Sequence, residues 1–66
     1  MNEPIKYDLY KRPNGLLYRV QLHSALHEPA ELLLEVHGWW ESHYTIGAVI
    51  SSSTSTLVAR NVVFKD

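Results

Sequence analysis

The segment from residue 37 to residue 43, HGWWESH, concentrates side chains that could bind a ligand or a partner. It holds both tryptophans of the chain, two of its four histidines and one carboxylate. Neighbouring residues on a strand point to opposite faces of a sheet. One tryptophan should therefore fill the core, and the other should point outward, where exposed aromatic rings usually mark contacts. The segment predicts a partner-binding site formed by His37, Trp39, Trp40, Glu41 and His43.

The same segment could hold a metal ion only if GWWES formed a turn. His37 and His43 would then meet and could share the ion with Glu41, and His23 could supply a fourth ligand, because imidazole and carboxylate groups are zinc ligands. The spacing matches no regular metal-binding motif, and the chain has no cysteine to supply a thiolate. We therefore predict no metal and no cofactor.

A second set of residues combines basic and aromatic side chains around the first predicted hairpin. Aromatic rings stack on bases, and lysine and arginine neutralise phosphates. Against nucleic-acid binding, the net charge of the chain is −1, whereas nucleic-acid-binding domains usually carry a basic excess. Nucleic-acid binding is therefore the alternative to protein binding. Its residues would be Tyr7, Tyr10, Lys11, Arg12 and Arg19.

Catalysis has little support in the sequence. The serines between residues 51 and 55 have no evident base, since a predicted strand separates them from His43. Glu35 and Glu41 could in principle perform acid–base chemistry, but a chain of 66 residues has little room for a cleft. We predict that the protein is not an enzyme.

The clearest elements are two strands that flank a turn, at about 5–11 and 16–23. Apolar and polar residues alternate in both segments, which is typical of strands with one buried face. Asn14 and Gly15 tolerate the positive φ that a tight hairpin turn requires. Because Pro13 precedes them, we expect a loop of three or four residues.

The last third of the chain also favours strands. YTIGAVIS would place Tyr44, Ile46, Ala48 and Ile50 on one face, and TLVARNVVF is rich in β-branched residues. The serines and threonines between these segments are typical of a short polar connection.

Residues 29–40 fit two structures. Pro29 and nearby acidic residues resemble a helix start, and apolar residues recur at helical spacing. Gly38 would lie inside that helix, however, and the apolar residues also alternate as in a strand. We favour a strand across ELLLEVHGW, preceded by a loop.

The fold prediction is a single small domain covering residues 1–66. It is all-β, a five-stranded antiparallel barrel or curled sheet of SH3-like size. The alternative is an α+β fold, ββαββ, with one helix over residues 29–40. No apolar run is long enough for a membrane span or a signal peptide, so we expect a cytoplasmic protein.

The functional prediction follows from size and charge. Domains this small often need a partner to bury enough apolar surface. Residues 20–41 contain four glutamates and no lysine or arginine, whereas residues 1–19 are mildly basic. We predict a non-enzymatic module that binds proteins or acts as an accessory or inhibitory factor. It should form a homo-oligomer or bind another protein. Its contact is centred on Trp39 and Trp40.

Overall fold

A computed structural model of the protein describes residues 4–64. It contains five strands and one helix. The elements in chain order are β1 (Lys6–Lys11), β2 (Leu17–Gln21), β3 (Pro29–Leu34), β4 (Gly38–Thr45), α1 (Ile46–Ser51) and β5 (Thr56–Val63). No helix among the described residues is both long and apolar enough to cross a membrane.

The strands form one antiparallel sheet in the order β4-β3-β2-β1-β5. The small, mostly β fold that the sequence predicts is therefore confirmed, as a curled sheet that is not closed into a barrel. The two edge strands, β4 and β5, run in the same direction. The chain must cross one face of the sheet between them, and α1 forms part of this crossover.

The first hairpin agrees with its prediction. The Arg12 amide donates to the Leu16 carbonyl at 3.1 Å, which leaves a loop of three residues. Gly15 adopts a φ of 82°, and the Asn14 side chain accepts from the Leu16 amide at 2.9 Å. The second strand ends at Gln21, two residues earlier than predicted.

The middle segment is strand rather than helix, so the alternative fold with a helix over residues 29–40 is wrong. The predicted single strand across ELLLEVHGW is also wrong in detail, because β3 ends at Leu34 and β4 begins at Gly38. Gly38 pairs with Leu34 and has a φ of 74°, a conformation that glycine adopts without strain. Gly38 therefore closes a second hairpin.

The predicted strand YTIGAVIS is wrong after Thr45, because Ile46–Ser51 is a helix. The Thr45 side chain caps it by accepting from the Ala48 amide at 3.1 Å. Ile46 and Val49 are buried, and residues three apart share one face of a helix. The segment thus carries two apolar patterns, the alternation typical of a strand and the three-residue spacing typical of a helix. The Thr45 cap and the burial of Ile46 and Val49 against the sheet favour the helix.

The core lies between α1 and the sheet and is small. Its buried members are Tyr18, Val20, Ala30, Ile46 and Val49. We name the covered side of the sheet the helix face, which carries Tyr18, Val20 and Ala30. The opposite side is the Arg19 face, since residues alternate between faces along a strand.

Candidate functional site

The two tryptophans lie on opposite faces of β4, as their adjacency predicts. Trp39 pairs in register with Leu33 and lies half-buried on the Arg19 face. Trp40 pairs with Leu32 on the helix face and is 54% exposed. The inward tryptophan is therefore Trp39, and the outward one is Trp40.

An arginine surrounded by aromatic rings organises the Arg19 face. The Arg19 guanidinium lies 4.3 Å from the Tyr7 ring centroid, 4.5 Å from that of Trp39 and 4.9 Å from that of Phe64. Its Nε donates to Glu31 Oε1 at 2.8 Å, and the side chain is only 14% exposed. A cation stacked on ring faces and paired with a carboxylate stabilises the fold.

This arrangement also explains how the sheet curls. Trp39 and Phe64 belong to opposite edges of the sheet, yet their ring centroids are 5.3 Å apart. In a flat sheet, four strand spacings would separate these edges by about 19 Å. The sheet therefore bends around Arg19.

Beside Arg19 lies an open polar cavity of about 240 Å³. Three carboxylates line it, those of Glu28, Glu31 and Glu41. Glu31 and Glu41 are also register partners on neighbouring strands. Because Glu31 is bound to Arg19, Glu41 is the exposed carboxylate of this pair.

A second arginine is engaged on the helix face. Arg12 Nη1 donates to Ser55 Oγ at 2.9 Å and to Thr54 Oγ1 at 3.3 Å, in the connection that leads into β5. Its guanidinium lies 4.8 Å from the Tyr44 ring centroid, and Tyr44 packs edge-on against Tyr18. Arg12 therefore fastens the crossover to the sheet.

The basic-aromatic set is thus largely engaged in intramolecular contacts. Arg12 and Arg19 are both bound within the chain, and Tyr10 packs against the core. Tyr7 is half-buried, with its ring edge-on to Phe64. Lys11 is exposed at the end of β1. The fold therefore brings these residues together only in part. Tyr7 and Arg19 lie on the Arg19 face, whereas Tyr10 and Arg12 lie on the helix face.

Trp40 is held in place although its ring is exposed. Its Nε1 donates to the His37 carbonyl at 3.0 Å, and the His37 ring packs edge-on against it at 5.6 Å. The only polar group of the indole is therefore satisfied locally, which leaves the apolar ring free for a contact. Val36, in the same hairpin loop, is 86% exposed.

Trp40 also ends an apolar row that crosses the whole sheet. Successive register partners on the helix face form this row. Its centre is buried, and both ends are exposed. The row consists of Trp40, Leu32, Tyr18, Tyr10 and Leu57.

The remaining predicted contact residues lie along β4. Glu41 and His43 are exposed, but GWWES is a strand and not the turn that a metal site required. At about 3.3 Å per residue, His37 and His43 are roughly 20 Å apart along the chain. Among residues 4–64, no group of three histidine, aspartate, glutamate or cysteine side chains is placed to hold a metal.

A bulge in β4 separates His43 from the tryptophans. Between the pairs Glu31–Glu41 and Pro29–Thr45, β4 has three residues where β3 has only Ala30. Ser42 Oγ donates to the Ala30 carbonyl at 2.7 Å and accepts from the Tyr44 amide at 3.2 Å. Bulges re-aim side chains, and here Tyr44 turns over Tyr18.

Sequence reasoning missed Phe64, Glu31 and Tyr44 as members of these clusters. Glu31 could have been found, because a lone acid inside an apolar strand usually has a basic partner. The roles of Phe64 and Tyr44 depend on the curl and on the bulge, for which the sequence carries no local signal. Comparison with protein-family models, curated proteins and solved structures gives no match for this chain.

Proposed function

We propose that this protein is a non-enzymatic protein-binding module whose contact is anchored by Trp40. The observation that carries the proposal is a large apolar ring, 54% exposed, whose Nε1–H is already hydrogen-bonded within its own hairpin. Buried tryptophans dominate the affinity of many interfaces. A ring that is fixed before binding loses little conformational entropy when a partner covers it.

The contact surface is the helix-face side of the β3–β4 hairpin. Trp40 and His37 form its centre, and Val36 adds exposed apolar area at the tip. Glu41 follows Trp40 in β4 but points to the Arg19 face, and His43 lies beyond the bulge. Neither residue therefore belongs to this surface. Trp39 supports the surface from the opposite face, where its ring packs on Arg19.

Protein binding is favoured over nucleic-acid binding because of where the cations are. Arg12 and Arg19 each stack on aromatic rings and hydrogen-bond within the chain. Releasing either one to bind phosphate would break these contacts. The hairpin that carries Trp40 contains glutamates and no lysine or arginine, so its field repels a polyanion. Nucleic-acid binding stays a prediction without structural support.

The test compares two side chains of equal exposure on opposite edge strands. Trp40 and Val58 are each 54% exposed. Trp40→Ala should weaken protein association by about 30-fold or more, the effect of losing an interface anchor, whereas Val58→Ala should change it less than about twofold. Sedimentation equilibrium measures self-association, and retention of proteins on the immobilised chain measures other partners. Equal effects of the two substitutions, or none from either, would refute the proposal.

A further inference from the structure

We propose that the partner is a second copy of this chain, which pairs its β4 antiparallel to β4 of the first copy, centred on Trp40. This inference rests on the proposed function, because it assumes that Trp40 makes a protein contact. It adds the identity of the partner, the strand and the register.

The β4 edge is open to pairing. Among residues 4–64, β4 has a hydrogen-bonded neighbour on one side only, namely β3. From Gly38 to Glu41 its register with β3 is regular, so its outward backbone groups are evenly presented for another strand. Exposed edges of this kind are templates for strand addition.

The other edge is less suited to pairing. The register of β5 with β1 shifts twice, and Asn61 has a φ of 56°. Its amide donates to the Asp8 carboxylate at 3.2 Å instead of pairing in a regular ladder. Bulged edge strands resist association with another chain. β4 is therefore the edge that a second copy would use.

The register follows from two-fold symmetry. In an antiparallel pair, residues directly opposite each other lie on the same face. The two-fold axis must therefore pass between the two copies of one residue, which then lie opposite each other. An axis at Glu41 would set two carboxylates opposite each other, which is destabilising. An axis at Ser42 falls in the bulge, and one at Trp39 sets Trp40 opposite Gly38. An axis at Trp40 joins the two exposed indoles.

The Trp40-centred register also continues the packing of each subunit. The apolar row on the helix face runs from Leu57 to Trp40 and ends at the open edge. Across the axis, Trp40 of the second copy begins the same row in reverse. Two five-stranded sheets would become one of ten strands, with the paired tryptophans bridging two small cores.

Charge opposes this pairing only weakly. The two Glu41 carboxylates would be diagonal neighbours, with their Cα atoms roughly 7–8 Å apart, and salt screens exposed charges at that range. The association constant of the dimer should rise about twofold between 20 and 300 mM NaCl. Glu41→Gln should strengthen it by a similar factor at low salt, whereas Glu35→Gln, in the hairpin loop, should change it little.

The decisive experiment is an isotope-filtered NOE measurement on a mixture of ¹³C,¹⁵N-labelled and unlabelled chains. We expect intermolecular contacts between Trp40 and Trp40, and between Trp39 and Glu41. Contacts that come from β5 or α1, contacts in another register, or a chain that is monomeric at 1 mM would overturn the inference. If Trp40→Ala abolishes association but β4–β4 contacts are absent, this inference fails and the proposed function stands. If Trp40→Ala leaves association intact, the proposed function fails first.

Discussion

Trp39 and Trp40 are adjacent in the chain, yet the two faces of the sheet use them in opposite ways. On the Arg19 face, Trp39 packs against the Arg19 guanidinium and against Phe64 from the far edge of the sheet. On the helix face, α1 packs against β2, β3 and β4, but it leaves the Trp40 ring 54% exposed. A tryptophan therefore contributes to stability where the sheet curls over it and remains available for binding where no other element covers its ring.

The strongest test of this comparison is to remove each indole in turn. Trp39→Ala should lower the free energy of unfolding by about 3 kcal/mol, because it leaves a cavity and exposes Arg19. A domain of this size rarely has more than about 3–5 kcal/mol in total, so much of the variant should be unfolded at 37 °C. Urea denaturation followed by circular dichroism measures the loss.

Trp40→Ala is the matched control for that experiment. Its ring is mostly solvated, and its hydrogen bond is local, so the loss should stay below about 1 kcal/mol. Equal destabilisation by the two substitutions would contradict the division of roles between the faces. The measurement must be made well below the concentration at which the chain associates, because association would add to the apparent stability of the wild type.

A smaller loss of stability is expected when Arg19 itself is replaced. Arg19→Ala should lower the free energy of unfolding by about 2 kcal/mol, because three ring contacts are lost and Glu31 is left without its partner. Arg19→Lys should recover about half of this, since an ammonium group keeps the charge but not the planar stacking. Thermal melts of both variants provide the comparison. A lysine variant as stable as the wild type would mean that charge alone, and not stacking, holds the Arg19 face together.

The smallest effect is expected at the corresponding arginine of the helix face. Arg12→Ala removes two hydrogen bonds and one ring contact, but it also removes Nε, a buried nitrogen with no partner within residues 4–64. The two effects oppose each other, so the free energy of unfolding should fall by only about 1 kcal/mol. Amide exchange should speed up in residues 52–55 and hardly change around Trp39. Uniform acceleration throughout the sheet would show that Arg12 supports the whole fold.

The first hairpin and the opposite orientations of the two tryptophans were determined by the sequence alone. Asn14 and Gly15 fix a turn through their own backbone preferences, and alternation fixes which side chains share a face. Both are local properties, set by residues close together in the chain. The strand predicted across ELLLEVHGW was correct for residues 31–34 and 38–39, but the break at residues 35–37 and the continuation of β4 through residues 40–43 were missed.

Only the tertiary structure decided the helix at Ile46–Ser51 and the assignment of roles to the tryptophans. The helix segment has an apolar pattern that fits either element. Gly47 allows it to approach the β2–β3 loop, where an added Cβ would lie 3.3 Å from Leu26. Trp39 is enclosed because Phe64, 25 positions later, returns beside it. Contacts at that separation depend on how the sheet curls, and no local pattern of residues encodes the curl.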